Sequence, residues 1–219
     1  MKNDTKSIYI LTAFFFLTKW FFIFNFNFEI DFITKIIFNL DDRQYFTLIH
    51  NLSNLNFNPT YNPELSSSKN IALPIYSILF HSLFFKLFNI YGFVIIEFFI
   101  ILSFCFIFFK IFNRLGLNRI ENIFLVLFVF CLPSIIDYFH LFKIPYISSI
   151  KELYNLRIPR PSVSHLYLFL FFYILITKNK KNKFKYCDLA LIGITFGLML
   201  GSFYYNLAIT GITFIIYYF

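Results

Sequence analysis

Long apolar runs separated by short polar ones set the pattern of this chain. Residues 8–24, IYILTAFFFLTKWFFIF, are interrupted only by Thr12, Thr18 and Lys19. They follow the basic segment MKNDTKS, and no small-residue cleavage site comes after them. The pattern therefore predicts an uncleaved first span and not a signal peptide. Lys19 and Trp20 then lie toward its far interface, where such side chains snorkel or anchor. Further apolar runs predict helices over 73–90, 91–112, 121–138, 164–177 and 188–204, with more apolar sequence to the end. In the polar stretch after the first run, Tyr45, Leu48, Ile49, Leu52 and Leu55 recur at helical spacing and predict an amphipathic helix. Asp41 or Asp42 stands where its N-cap would be, and capping alone would account for either.

Composition moves these helices into a membrane. The chain is 59% hydrophobic and 24% aromatic, and only 14% of it is charged. A soluble domain carries about a quarter charged residues and cannot hide this much apolar surface. The fold class predicted is all-α: a multi-span helical integral membrane protein with interfacial amphipathic helices after the first span. Residues 1–219 read as a single transmembrane domain, with an external loop and interfacial helices over 25–90. Cys105, Cys131 and Cys187 form no CxxC pair and no Cys/His cluster, so neither a disulfide framework nor a zinc site is indicated. The net charge of +8 resides mainly in loops between apolar runs. It reads as topology-setting charge, and no nucleic-acid partner is expected.

Charge also decides which runs cross. If every run spans and the N-terminus is inside, KIFNRLGLNR (110–119) and KNKKNKFK (178–185) both fall outside, against the positive-inside rule. If 73–90 lies in the interface, the inside collects Lys2, Lys6, Lys110, Arg114, Arg119, Lys178, Lys180, Lys181, Lys183 and Lys185. The outside then keeps Lys35, Arg43, Lys69, Lys143, Lys151, Arg157 and Arg160, spread over far more chain. The second arrangement is the better one. The 73–90 run, LPIYSILFHSLFFKLFNI, fits it: Pro74 suits a first turn, and Ser77, His81 and Lys86 interrupt the apolar surface.

One span, a long external loop with paired acids, two interfacial helices, then further spans: this order resembles the N-terminal module of GT-C glycosyltransferases. The likeness is to the branch of protein O-mannosyltransferases and lipid A aminoarabinose transferases. The stretch ALPIYSILFHSLFFKLFNIYG (72–92) resembles that family's Pro-Pro-Leu helix ending in Phe-Gly, with one Pro here and FNIYG at the end. The resemblance covers residues 8 to 177 and implies a bacterial inner-membrane enzyme with a cytoplasmic N-terminus. It implies transfer of a sugar from a polyprenyl-phosphate carrier to a glycan, lipid or protein acceptor on the outer face. The chain is then expected to be the N-terminal part of a longer module.

In that family an acidic residue of the first external loop is base or metal ligand, a role that falls by position on Asp41 or Asp42. Such transfer needs a carboxylate beside the incoming hydroxyl and positive charge on the leaving phosphate. Arg157 and Arg160, in YNLRIPRPSVSHLY (154–167), are candidates for that phosphate, since a planar guanidinium pairs with it bidentately. Contact with lipid headgroups is the plainer role for the same arginines. Relatives often carry an acid near this point, where Ser162, Ser164 and His165 stand instead, so a two-acid metal site is in question. No cofactor is assigned beyond a divalent metal as an open option, with Asp137 able to supply a second acid. Glu97, inside an apolar run, needs a cavity or a partner, and Lys19 or Arg157 would serve. His81 is a further supporting polar group; His50, His81 and His165 have no metal-binding spacing. Gly193, Gly197 and Gly201, spaced by four, predict a close helix contact. An O-antigen-type polymerase or ligase is the competing enzyme reading, and a transporter or non-catalytic membrane protein the third.

Overall fold

The computed structural model describes residues 2–26, 43–57, 75–140, 162–177 and 186–218. Among them are eight helices and no strand: α1 (Lys2–Phe26), α2 (Arg43–Ser53), α3 (Ile75–Phe88), α4 (Tyr91–Arg114), α5 (Arg119–His140), α6 (Ser162–Thr177), α7 (Tyr186–Leu200) and α8 (Tyr204–Tyr218). The all-α class holds. Among the described residues α4 is the one helix long and apolar enough to cross a membrane, with a mean hydropathy of 2.7.

Helix α4 is the centre, packed against α1, α3, α5 and α6. Aromatic rings make the seams. Phe15 of α1 stacks on Phe130 of α5 at 4.3 Å, and Phe108 of α4 meets Phe169 of α6 edge-on at 4.8 Å. Phe171 of α6 stacks on Phe196 of α7 and reaches Phe214 of α8. These contacts, with Arg119 Nε donating to Ser7 Oγ at 2.8 Å, fix directions along the bundle. Helices α1, α5 and α7 run one way, and α4, α6 and α8 the other.

The α4–α5 hairpin is written locally. Gly116, at φ +86°, closes α4: its N–H reaches the Asn113 carbonyl, and that of Leu117 reaches Phe112. Only glycine adopts this left-handed turn without strain. Asn118 then caps α5, its Oδ1 accepting the N–H groups of Ile120 and Glu121, while Glu121 accepts the Asn118 N–H. The reciprocal pair is a capping box with Asn in the first place.

Helix α3 does not run with the others. Its first turn is held at the end of the bundle where α7 finishes and α6 begins: the Tyr76 N–H donates to the Gly201 carbonyl at 3.1 Å, and the Tyr167 hydroxyl donates to the Tyr76 carbonyl at 2.9 Å. Its last turn passes through Asn89, at φ +52°, and Ile90 into the start of α4 at that same end. Both termini of a helix about 21 Å long are thus pinned to one end of the bundle, so α3 lies across it. Gly92 makes the crossing close, since a Cβ there would collide with the Phe84 carbonyl. Helix α2 packs on α3 at this end, burying Tyr45, Leu48, Ile49 and Leu52.

Three expectations are corrected. Leu55 is not on α2, which ends at Ser53; it sits in a left-handed turn at φ +57° and is 71% exposed. The run 188–204 is not one helix, because Gly201 breaks it by receiving Tyr76 against its backbone. The glycine stripe is a contact only at Gly201, whereas a Cβ on Gly193 or Gly197 would meet open space.

Candidate functional site at the α2/α3 end

Polar groups gather inside the end that α2 and α3 cover. Helix α3 turns Ser77, His81 and Ser82 inward and leaves Tyr76, Leu79, Phe80, Leu83 and Leu87 exposed, so its polar face is the buried one. This corrects the expectation that Ser77 and His81 interrupt its outer surface; Lys86 alone of the three is exposed. In water such a helix would be turned the other way, because exposed apolar side chains gain nothing there.

Glu97 is 4% exposed and nearly two turns inside α4. Its Oε2 accepts a hydrogen bond from the indole Nε1 of Trp20, 2.9 Å away, from a ring fully buried near the end of α1. The indole is thus one partner of Glu97. The Lys19 side chain and Arg157 are outside the described residues. The Trp20–Glu97 bond ties α1 to α4 at this end. The Trp20 ring belongs to an apolar cluster with Tyr45, Ile49, Ile78 and Phe93, which carries the tie on to α2 and α3.

His81 is fully buried, its ring 5.9 Å from that of Phe93. Neither nitrogen makes a hydrogen bond; the Ser77 carbonyl one turn back pulls weakly on the ring without reaching bonding geometry. Burial pushes its pKa down to about 4, so the imidazole is neutral at ordinary pH. Across the bundle, α6 opens with Ser162, Ser164 and His165 all buried, and Asn206 of α8 donates to the Ser164 carbonyl at 3.3 Å. The sequence reading passed over Asn206, Tyr167 and the Trp20 indole as site elements. Asn206 could have been seen as a lone amide in apolar sequence; the other two carry no such signal.

Asp41, Asp42, Arg157 and Arg160 lie outside the described residues. Their places in the chain are still informative. Helix α2 begins at the residue after Asp42, and α6 begins two residues after Arg160. Asp137 is carried by the last turns of α5, which run toward this end, though its side chain too is outside the described residues. Among the described residues no group of three or more His, Cys, Asp or Glu could hold a metal. His50 is exposed, with its ring against Phe85, and joins no such group.

Comparison with family models, with curated proteins and with solved structures gives no match for this chain.

Proposed function

We propose that the chain is a multi-span membrane protein whose α2/α3 end faces outward and transfers a sugar from a polyprenyl-phosphate carrier. One observation carries the reading most: a helix with a buried polar face and an exposed apolar face lies across one end of the bundle, α2 beside it. A phosphate tethered to a lipid tail cannot leave the headgroup plane, and helices lying in that plane are where a site for it would be built. The exposed apolar side chains of α1, α5, α7 and α8, such as Phe14, Phe124, Ile194 and Ile212, support lipid on the flanks as well.

In this reading Asp41 or Asp42, at the entrance to α2, takes the proton of the acceptor hydroxyl or holds a metal there. Asp41 is the favoured one. Arg157 and Arg160, just before α6, receive the carrier phosphate as the glycosidic bond breaks. Trp20, Glu97 and His81 touch no substrate; they position the cover formed by α2 and α3, which excludes water that would hydrolyse the activated sugar.

Sugar transfer from a polyprenyl-phosphate donor, measured with Asp41→Asn and Asp42→Asn, tests the assignment. Asn caps a helix about as well as Asp, but at neutral pH it neither takes a proton nor carries charge. At least one variant is expected to lose about 100-fold or more in rate with expression intact, the usual weight of a general base. Near-normal transfer by both would reduce the acids to caps.

A further inference from the structure

The end of the bundle opposite α2 and α3 holds a groove that the transferase reading does not use. It has a volume of about 510 Å³ and runs between α1, α4 and α6. Leu102, Phe106, Leu166 and Leu170 form much of its apolar wall, and Asp4, Lys110 and Asn113 stand at its polar mouth. Along α4 it extends from Leu102 to Asn113, roughly 16 Å at the rise of an α-helix. That is about half the roughly 30 Å hydrocarbon thickness of a bilayer, the depth of one leaflet. The volume lies in the range of sites that enclose a small ligand, roughly 300–1,000 Å³.

The basic residues around the mouth point to the occupant, Asp4 and Lys110 being the charged residues that line it. Lys110 closes it, its ammonium 5.4 Å over the Phe106 ring. Lys6 and Arg114 are exposed at this end, and Arg119 is tied to Ser7 of α1. Three acids are described at this end: Glu121 is engaged in the α5 cap, Asp188 is buried in the first turn of α7, and Asp4 stands at the mouth. Against them stand Lys6, Lys110, Arg114 and Arg119, an excess of one positive charge among the described side chains of this end. Apolar along one leaflet and cationic at the headgroup level, the groove matches a lipid with an anionic head.

We propose that this groove binds one anionic glycerophospholipid of the leaflet at the basic end, an acyl chain between α4 and α6 and its phosphate at Lys110 and Asn113. Such a lipid would brace α1 against α6, which have little direct contact across the groove. The inference rests on the membrane embedding proposed above, and not on the transferase reading.

Native mass spectrometry of the full chain in detergent, titrated with phosphatidylglycerol and separately with phosphatidylcholine, tests it. One phosphatidylglycerol is expected to bind at least about fivefold more tightly than phosphatidylcholine, the weight of a basic residue at a lipid surface. Lys110→Gln should abolish that preference. Ser103→Phe, which fills the groove, should remove binding of both lipids. Excess inorganic phosphate should leave the lipid in place, since the acyl chain supplies much of the hold. Equal binding of the two lipids by the unmodified chain overturns the proposal without any variant, as does full displacement by inorganic phosphate. So does unchanged binding in Ser103→Phe. Recovery of the chain from aqueous extracts without detergent would overturn the embedding together with the groove. Equal lipid binding by a chain that needs detergent would remove the groove alone.

Discussion

Trp20 and His81 show how single side chains organise the α2/α3 end. Trp20→Phe removes the donor to a buried carboxylate and also the second ring of a fully buried side chain. It should cost about 1–3 kcal/mol, read as a lower melting midpoint in detergent. Glu97→Gln should cost less, because an amide oxygen still accepts the indole N–H. His81 gives a pH dependence whose sign follows from its depressed pKa. Released from the fold, the imidazole takes up a proton below about 6.5, whereas in place it resists until about 4. The folded form is therefore favoured fully above pH 6.5 and loses stability as pH falls from 6.5 toward 4. His81→Leu removes the titrating group and should flatten melting against pH over that window. An unchanged slope would mean that other groups set the acid response. The sequence located Glu97 and His81 as polar residues in apolar surroundings; the full burial of His81 and the indole beside Glu97 come only with the tertiary fold. The tertiary fold brings Glu97 an indole from 77 residues away, which no local pattern encodes; the ion pair that its charge suggested involves the Lys19 side chain or Arg157, which lie outside the described residues.

Where the signal is periodic, the sequence reading was close. The spacing of Tyr45, Leu48, Ile49 and Leu52 gives α2, and the run 91–112 gives α4 to within two residues at its C-terminal end. Pattern failed where a distant contact ends or turns an element. Helix α7 stops at Gly201 because Tyr76 arrives there, and α3 buries His81 beside Phe93, a neighbour that lies outside its own pattern. The glycines separate the two kinds of information. Gly92→Ala and Gly201→Ala should each loosen α3, costing about 1–3 kcal/mol from overpacking. Gly193→Ala and Gly197→Ala meet open space, and each should be neutral or gain up to about 1 kcal/mol in helix propensity. Thermal melting of the four variants checks the pattern, and equal losses at all four would contradict the placement of α3.

For the molecule as a whole, the directions of the helices and the distribution of basic residues point to the same arrangement. Ring contacts place the starts of α1, α5 and α7 at one end, where Lys6, Lys110, Arg114 and Arg119 are found. Helix α3 crosses the other end. The candidate acids and arginines were legible as residue types at chosen places in the chain, and their chemistry remains a proposal on that basis. What the whole account stands on is a bundle in a membrane with α2 and α3 on its outer surface. Single cysteines at Thr60 and Lys180, in a chain lacking Cys105, Cys131 and Cys187, measure this most directly in intact cells with a membrane-impermeant maleimide. The account predicts labelling at residue 60 from outside, with residue 180 labelled only after the membrane is opened. Labelling of residue 180 but not residue 60 in intact cells would contradict it.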